Sequence, residues 1–203
     1  MPVINGIHVS ETQFPVQLVD FQAGPRLFLN HRHTDIIQIR AVIAHKIDQA
    51  LEILPSDLGF MIFESYRPRS RQLMLWDKHK AQFQIENPGI SEADLVILTE
   101  KFVSNPHKFG SGHQAAVAID ITLCGLDGTE LDMGTAMHEF NAKTETAYPG
   151  LSPDIAANRY LLKNTLEQVG LINYPPEWWH YSYGDRLWAE VTKRDFAFFA
   201  PID

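Results

Sequence analysis

A single cysteine, Cys124, stands among 203 residues. No intrachain disulfide can form, so packing and hydrogen bonds must hold the fold, which suits a reducing compartment. Basic residues are outnumbered: 17 Lys and Arg against 25 Asp and Glu leave a formal net charge of -8. A nucleic-acid partner needs the opposite surplus, because Lys and Arg make the phosphate contacts. The apolar runs are far too short to cross a bilayer. The opening Met-Pro-Val-Ile-Asn-Gly lacks the charged start and apolar stretch of a signal peptide. Repeats, low-complexity tracts and a linker are missing as well. What is there is 45% hydrophobic and 21% charged, enough to bury a core. The expectation is one cytoplasmic globular domain over residues 1–203, with no nucleic-acid and no membrane partner.

Residues 1–33 are interrupted by proline, with Gln17–Phe21 as a short strand. His31-Arg32-His33 could share a face only on a strand and reads as a solvated loop. Thr34-Asp35 looks like a helix start, and Ile36, Ile39, Ile43, Ile47, Ala50, Leu51 and Leu54 keep helical spacing up to Pro55. Gly59–Tyr66 reads as a buried strand ended by Pro68. Two helices follow, over about 69–85 and 91–103. Residues 105–114 are a loop by composition.

Ala116–Leu123 is the second buried strand. Its alternation puts Val117, Ile119, Ile121 and Leu123 on one face, with Ala116, Ala118, Asp120 and Thr122 on the other. Asp120 therefore shares a face with two alanines, which leaves room above its carboxylate. Residues 129–152 form a long irregular loop, a common home for function. A helix with Ser152 as cap and Pro153 at its first position runs to Val169, and Gly170 ends it. Trp178–Tyr183 reads as an aromatic strand. The final Phe-Ala-Phe-Phe-Ala-Pro is expected to pack back on the core.

Two pieces carry chemistry. Ser111-Gly112-His113 leads into Asp120, and Glu177-Trp178-Trp179-His180 ends sixty positions after that aspartate. Two imidazoles and one carboxylate suit zinc, which in hydrolases commonly keeps a fourth position for water. His113 is an odd step from Asp120, so it must lie on the turn before the strand and curl back. Glu177 is the candidate base, and Arg67 the candidate cation facing a developing oxyanion. Each piece admits a plainer reading. Asp120 could cap a turn or pair with an arginine, His113 could be a satisfied loop histidine, and Glu177 and His180 could lie on a solvated edge.

Taken together, Glu64-Ser-Tyr-Arg-Pro-Arg69, Ser111 to Leu123 and Glu177-Trp-Trp-His-Tyr181 resemble the D-alanyl-D-alanine dipeptidase family, the vancomycin-resistance-type zinc dipeptidases. Met133-Gly134-Thr135 and the helix around Asn158-Arg159 extend the resemblance, which covers roughly Gly59 to Tyr183. It implies an α+β fold: a mostly antiparallel central sheet flanked by helices, of the D-Ala-D-Ala dipeptidase and hedgehog-like type. It implies one Zn2+ per chain held by His113, Asp120 and His180. It makes Glu177 the general acid/base and Arg67 the stabiliser of the transition state. Ser111 would help to hold the amino end of a small peptide substrate.

Two departures stand out. The family's usual Arg-Gly pair is Ala115-Ala116 here. The dipeptidases carry an aspartate after Met-Gly-Ser/Thr that pairs with the substrate's ammonium, and here that position is His138, followed by Glu139. Either Glu139 substitutes, or the substrate differs. The leading expectation is zinc-dependent hydrolysis of D-alanyl-D-alanine or a related D-containing dipeptide, a role tied to the cell wall. The rivals are a peptidoglycan D,D-carboxypeptidase or endopeptidase on the same fold, and a zinc-binding recognition module without catalysis.

Overall fold

The computed structural model describes residues 3–4, 7–9, 16–30, 37–108, 110–139 and 141–202. His31-Arg32-His33 and the helix start at Thr34-Asp35 lie outside the described residues. Three short strands open the chain: β1 (Val3–Ile4), β2 (Ile7–Val9) and β3 (Leu18–Asp20). Then come β4 (Leu27–Leu29), β5 (Gln38–Arg40), α1 (Ala41–Ile53) and β6 (Leu58–Glu64). Helices α2 (Arg69–Glu86) and α3 (Glu92–Glu100) precede β7 (Ala118–Gly125). The chain continues through α4 (Pro153–Gln168), β8 (Ile172–Asn173), β9 (His180–Ser182), α5 (Arg186–Val191) and β10 (Phe196–Ala197).

The central sheet has five strands in the order β4-β6-β7-β9-β8. Only β4 and β6 run parallel; the other pairs are antiparallel. The fold is thus α+β with a mostly antiparallel sheet. One face is apolar: Phe60, Ile62, Ile119, Ile121 and Leu123 are buried there with Ile43, Ile47 and Ala50 of α1 and Leu162 and Leu166 of α4. Burying a side chain of this kind contributes roughly 1.5–3 kcal/mol. A second cluster joins Trp188 and Ala189 of α5 to Ala197 of β10.

Three readings of the sequence are corrected. Ile39 belongs to a strand, not to a helix. Gln38–Arg40 pairs antiparallel with β3, and α1 starts only at Ala41. The helical spacing of Ile39 was coincidental, since a buried strand residue and a buried helix residue look alike by periodicity. Trp178 and Trp179 form a turn rather than a strand; β9 begins at His180 because the Trp178 N–H donates to the Thr144 carbonyl instead of to a ladder. β7 begins at Ala118, two residues after the expected start, because Ala116 adopts a left-handed φ of 55°.

Among its described residues, the long segment between β7 and α4 holds a bridge from Glu130 to Cys124 and one 3-10 turn at Ala142–Thr144. It is held from below by Arg159, whose side chain is buried and donates to the Met133 and Glu145 carbonyls. Asn158 adds a bond to the Asp132 carbonyl. Arg159→Ala strands two carbonyls and leaves a cavity, so we expect a loss of about 3 kcal/mol. Urea unfolding should show it as a lower midpoint; an unchanged midpoint would mean that this anchor is dispensable.

Candidate metal centre

The second face of the sheet carries the polar row. In the ladder, Asp120 of β7 stands opposite Glu64 of β6 on one side and His180 of β9 on the other. Directly opposed residues project to the same face about 5 Å apart. Regular pairing would have set Phe63 against Asp120. A register shift between Ile62 and Glu64 brings Glu64 there instead, which is how a bulge re-aims a side chain.

His113 comes from the turn before β7. The Ala116 N–H bonds the His113 carbonyl, and Val117 and Ala118 both bond the Gly112 carbonyl. The His113 carbonyl also receives the Arg67 N–H, which ties the turn to the end of β6. Gly112 has to be glycine: a Cβ there would lie 2.3 Å from Asp185 Oδ2 and 2.9 Å from Ala118 Cβ.

Three ligand-capable atoms converge. His113 Nε2 is 3.2 Å from His180 Nδ1 and 3.4 Å from Asp120 Oδ1, and His180 Nδ1 is 3.2 Å from that same oxygen. Donors bound to a tetrahedral zinc at its usual bond lengths lie about 3.3 Å apart. The triangle therefore has the dimensions of one face of a zinc tetrahedron. The tautomer of His113 fits as well. Its Nδ1 is 2.8 Å from the Ser65 carbonyl, which can only accept, so Nδ1 carries the proton and Nε2 is bare. Burial pulls the His113 imidazole below its ordinary pKa, toward the neutral form a metal needs. Asp120 is lowered well below the carboxylate range, since the three surrounding imidazoles outweigh the opposing effect of burial.

Glu177 lies beside this triangle, with Oε2 4.0 Å from His180 Nδ1. The turn Pro175-Pro176 presents it. Its carbonyl is held by Asn173 Nδ2 at 3.0 Å, and the Pro176 carbonyl by Thr144 Oγ1 at 2.9 Å. Burial pushes its carboxyl upward, against the pull of His180, which suits a proton acceptor working nearer neutrality. Arg67 is gripped by Glu64 through Nε at 3.0 Å and Nη2 at 2.6 Å, and Nη1 donates to Gln72 at 3.0 Å. Three of its five N–H donors are used, which leaves two for a ligand. Burial alone would raise Glu64, but Arg67 outweighs it and holds the carboxyl at about 2.

Ser111 lines the same cleft, and its Oγ accepts the Gln114 N–H at 3.2 Å. His138 also reaches the site, with Nε2 3.0 Å from Asp120 Oδ2. Glu139 does not. It is exposed, and its oxygens accept from the Ala136 N–H and Asn141 Nδ2 within its own loop. Sequence reasoning missed Glu64, Gln72, Asn173 and the Ser65 carbonyl as supports. Glu64 and Ser65 lie inside the Glu-Ser-Tyr-Arg-Pro segment, so their signal was present; nothing marked Gln72 or Asn173.

A family model described as D-ala-D-ala dipeptidase, Peptidase_M15, matches residues 29–200. Three curated relatives are all D-alanyl-D-alanine dipeptidases. The Escherichia coli (strain K12) protein is 29% identical over 127 residues, covering 62% of this chain and 55% of the relative. The Synechocystis sp. protein is 27% identical over 177 residues, covering 74% and 71%. The Enterococcus faecium protein is 29% identical over 133 residues, covering 63% of each. The chain thus spans less than two thirds of the length of two of the three. Among solved structures, VanYB in complex with D-alanine-D-alanine has a TM-score of 0.53 at 17% identity, covering 95% of this chain and 94% of that one. The LD-carboxypeptidase LdcB has a TM-score of 0.52 at 17% identity, covering 97% and 82%. Both likenesses concern the fold.

Proposed function

The chain belongs to the D-Ala-D-Ala dipeptidase family of M15 peptidases, and on that footing we propose that it is a zinc metallopeptidase hydrolysing D-alanyl-D-alanine or a related D-containing dipeptide. The observation that carries the proposal is the triangle of His113 Nε2, Asp120 Oδ1 and His180 Nδ1 with Glu177 at its edge. A zinc ion bound there would polarise a scissile carbonyl and make water a usable nucleophile. Glu177 takes the proton of the attacking water and returns it to the leaving amine. Arg67 turns its two remaining N–H groups toward the oxygen on which charge develops. Glu64 and Gln72 keep that guanidinium from turning away. Ser111 borders the amino end of the substrate. Glu177 and Arg67 are superfluous for metal binding alone, which weighs against a purely structural zinc module. A single free cysteine, buried in the core, suits the reducing cytoplasm that is proposed as its setting. Among the described residues, no helix is long and apolar enough to cross a membrane.

One observation favours a second reading. The cleft holds about 810 Å³ and continues past the site along Met74, Leu75 and Phe102. Cavities of this size enclose drug-sized ligands, more than a dipeptide fills, and a D,D-carboxypeptidase would use the extra length. A substrate panel separates the two. The zinc-loaded protein should cleave free D-Ala-D-Ala at least about tenfold faster than its N-acetylated form or the L,L-dipeptide, a discrimination of about 1.4 kcal/mol. Equal rates on N-blocked peptides would establish the carboxypeptidase. No cleavage of any D,D-peptide by zinc-replete protein would sink both.

A further inference from the structure

We propose that His138 is a positioning residue of the metal centre: it donates a hydrogen bond to Asp120 Oδ2 and thereby reserves Oδ1 as the single oxygen that faces the cage. The inference rests on the zinc reading above and goes beyond it. Asp120 is split between two neighbourhoods. Oδ1 lies 3.2 Å from His180 Nδ1 and 3.4 Å from His113 Nε2, while Oδ2 lies 3.0 Å from His138 Nε2. An ionised carboxylate has no proton to give, so the bond to Oδ2 requires Nε2–H on His138. Such outer partners orient first ligands and tune the metal.

The surrounding loop is built to deliver this ring. His138 adopts a left-handed φ of 61°, a conformation unfavourable for a residue with a Cβ, so the surroundings must impose it. Arg159 and Asn158 fasten Met133 and Asp132 to α4, and Trp178 Nε1 donates to Thr135 Oγ1 at 2.9 Å. Gly134 N–H bonds Asp132 Oδ1 at 2.7 Å. Beyond the ring, Glu139 closes the turn by accepting from the Ala136 N–H and Asn141 Nδ2. Glu139 thus acts on the turn, not on a substrate. Trp179 stands edge-on to the His138 ring, 5.7 Å between centroids, and limits its rotation.

A different use of the same atoms fails on charge. Glu64, Asp120 and His138 lie close enough together to surround a second cation. Both Glu64 oxygens, however, already face Arg67, and Oε1 also faces Arg71 at 3.3 Å. A cation there would sit against two guanidinium groups.

The test is zinc affinity, measured by competition with a chromophoric chelator, together with the visible spectrum of the Co(II)-substituted protein. His138→Ala should weaken zinc binding about 10- to 100-fold and alter the Co(II) spectrum, as Asp120 becomes free to use both oxygens. His138→Gln should restore most of both, because its amide nitrogen follows Cβ by the same number of bonds as Nε2. Wild-type affinity and spectrum in His138→Ala would overturn the proposal, and so would no recovery in His138→Gln. Two zinc equivalents per wild-type chain, falling to one in His138→Ala, would overturn it in favour of a ligand role. A wild-type chain that binds no zinc would defeat the cage itself and this inference with it; a zinc-binding wild type indifferent to His138 would defeat this inference alone.

Discussion

Replacing Glu177 with glutamine is expected to lower kcat by about 10³-fold while zinc stays bound at one per chain. The expectation follows from position. Oε2 of Glu177 stands 4.0 Å from His180 Nδ1, outside the proposed ligand triangle but beside it. Glutamine keeps the shape and the backbone anchors of the turn, including the bond from Asn173 to the residue 177 carbonyl. It removes only the capacity to accept a proton. Its effect should therefore fall on kcat, with KM nearly unchanged. Metal analysis beside steady-state kinetics checks both halves. An active Glu177→Gln protein would show that another group moves the proton, and a zinc-free one would place Glu177 among the ligands.

The second large effect is expected at Arg67. Removing a preorganised donor to a developing oxyanion costs about 10²- to 10³-fold in kcat. Arg67→Ala would also leave Glu64 buried with Arg71 as its remaining ion-pair partner among those described, so part of its effect would be structural. Arg67→Lys keeps the charge and loses the fork that meets both Glu64 oxygens. It should recover stability more fully than rate, leaving kcat down by roughly tenfold or more. Steady-state kinetics beside urea melts will separate the two. A rise in KM with kcat intact would make Arg67 a substrate anchor instead.

The parts of the site legible in the sequence were those governed by strand alternation and by short spacing. Asp120 could be placed on the small-residue face of its strand because the apolar residues at 117, 119, 121 and 123 claimed the other. His113 had to come from the turn for the same reason of parity. Glu177 and His180 lie one turn apart, and the resemblance supplied their roles. What stayed hidden depends on contacts distant in sequence. The shift between Ile62 and Glu64 exists only in the pairing with β7, so nothing local announces that Glu64 will join Asp120. Ile39 looked helical because a buried strand next to a helix can continue its periodicity by chance. Trp178 and Trp179 carry strand-forming side chains, yet the bond to Thr144 holds them in a turn. Glu139 was legible as an acid near the site, but not as a side chain consumed by its own loop. The short pairing of β10 with β2 joins the two ends of the chain, which no window of sequence contains.

Arg159 grips the carbonyls of Met133 and Glu145 with one side chain. Between those two points the chain meets the central sheet through His138 on Asp120 Oδ2 and Met137 on the core, whereas His113, Asp120 and His180 stand on the turn before β7, on β7 and on β9. The proposed ligands and the stretch that carries His138 therefore belong to different elements that meet at Asp120. A different loop between the two clamped ends would alter what meets Asp120 Oδ2, and with it the aim of a proposed ligand. Substrate admission and metal affinity would then shift together, and the helix bearing Arg159 fixes the two ends between which both are adjusted.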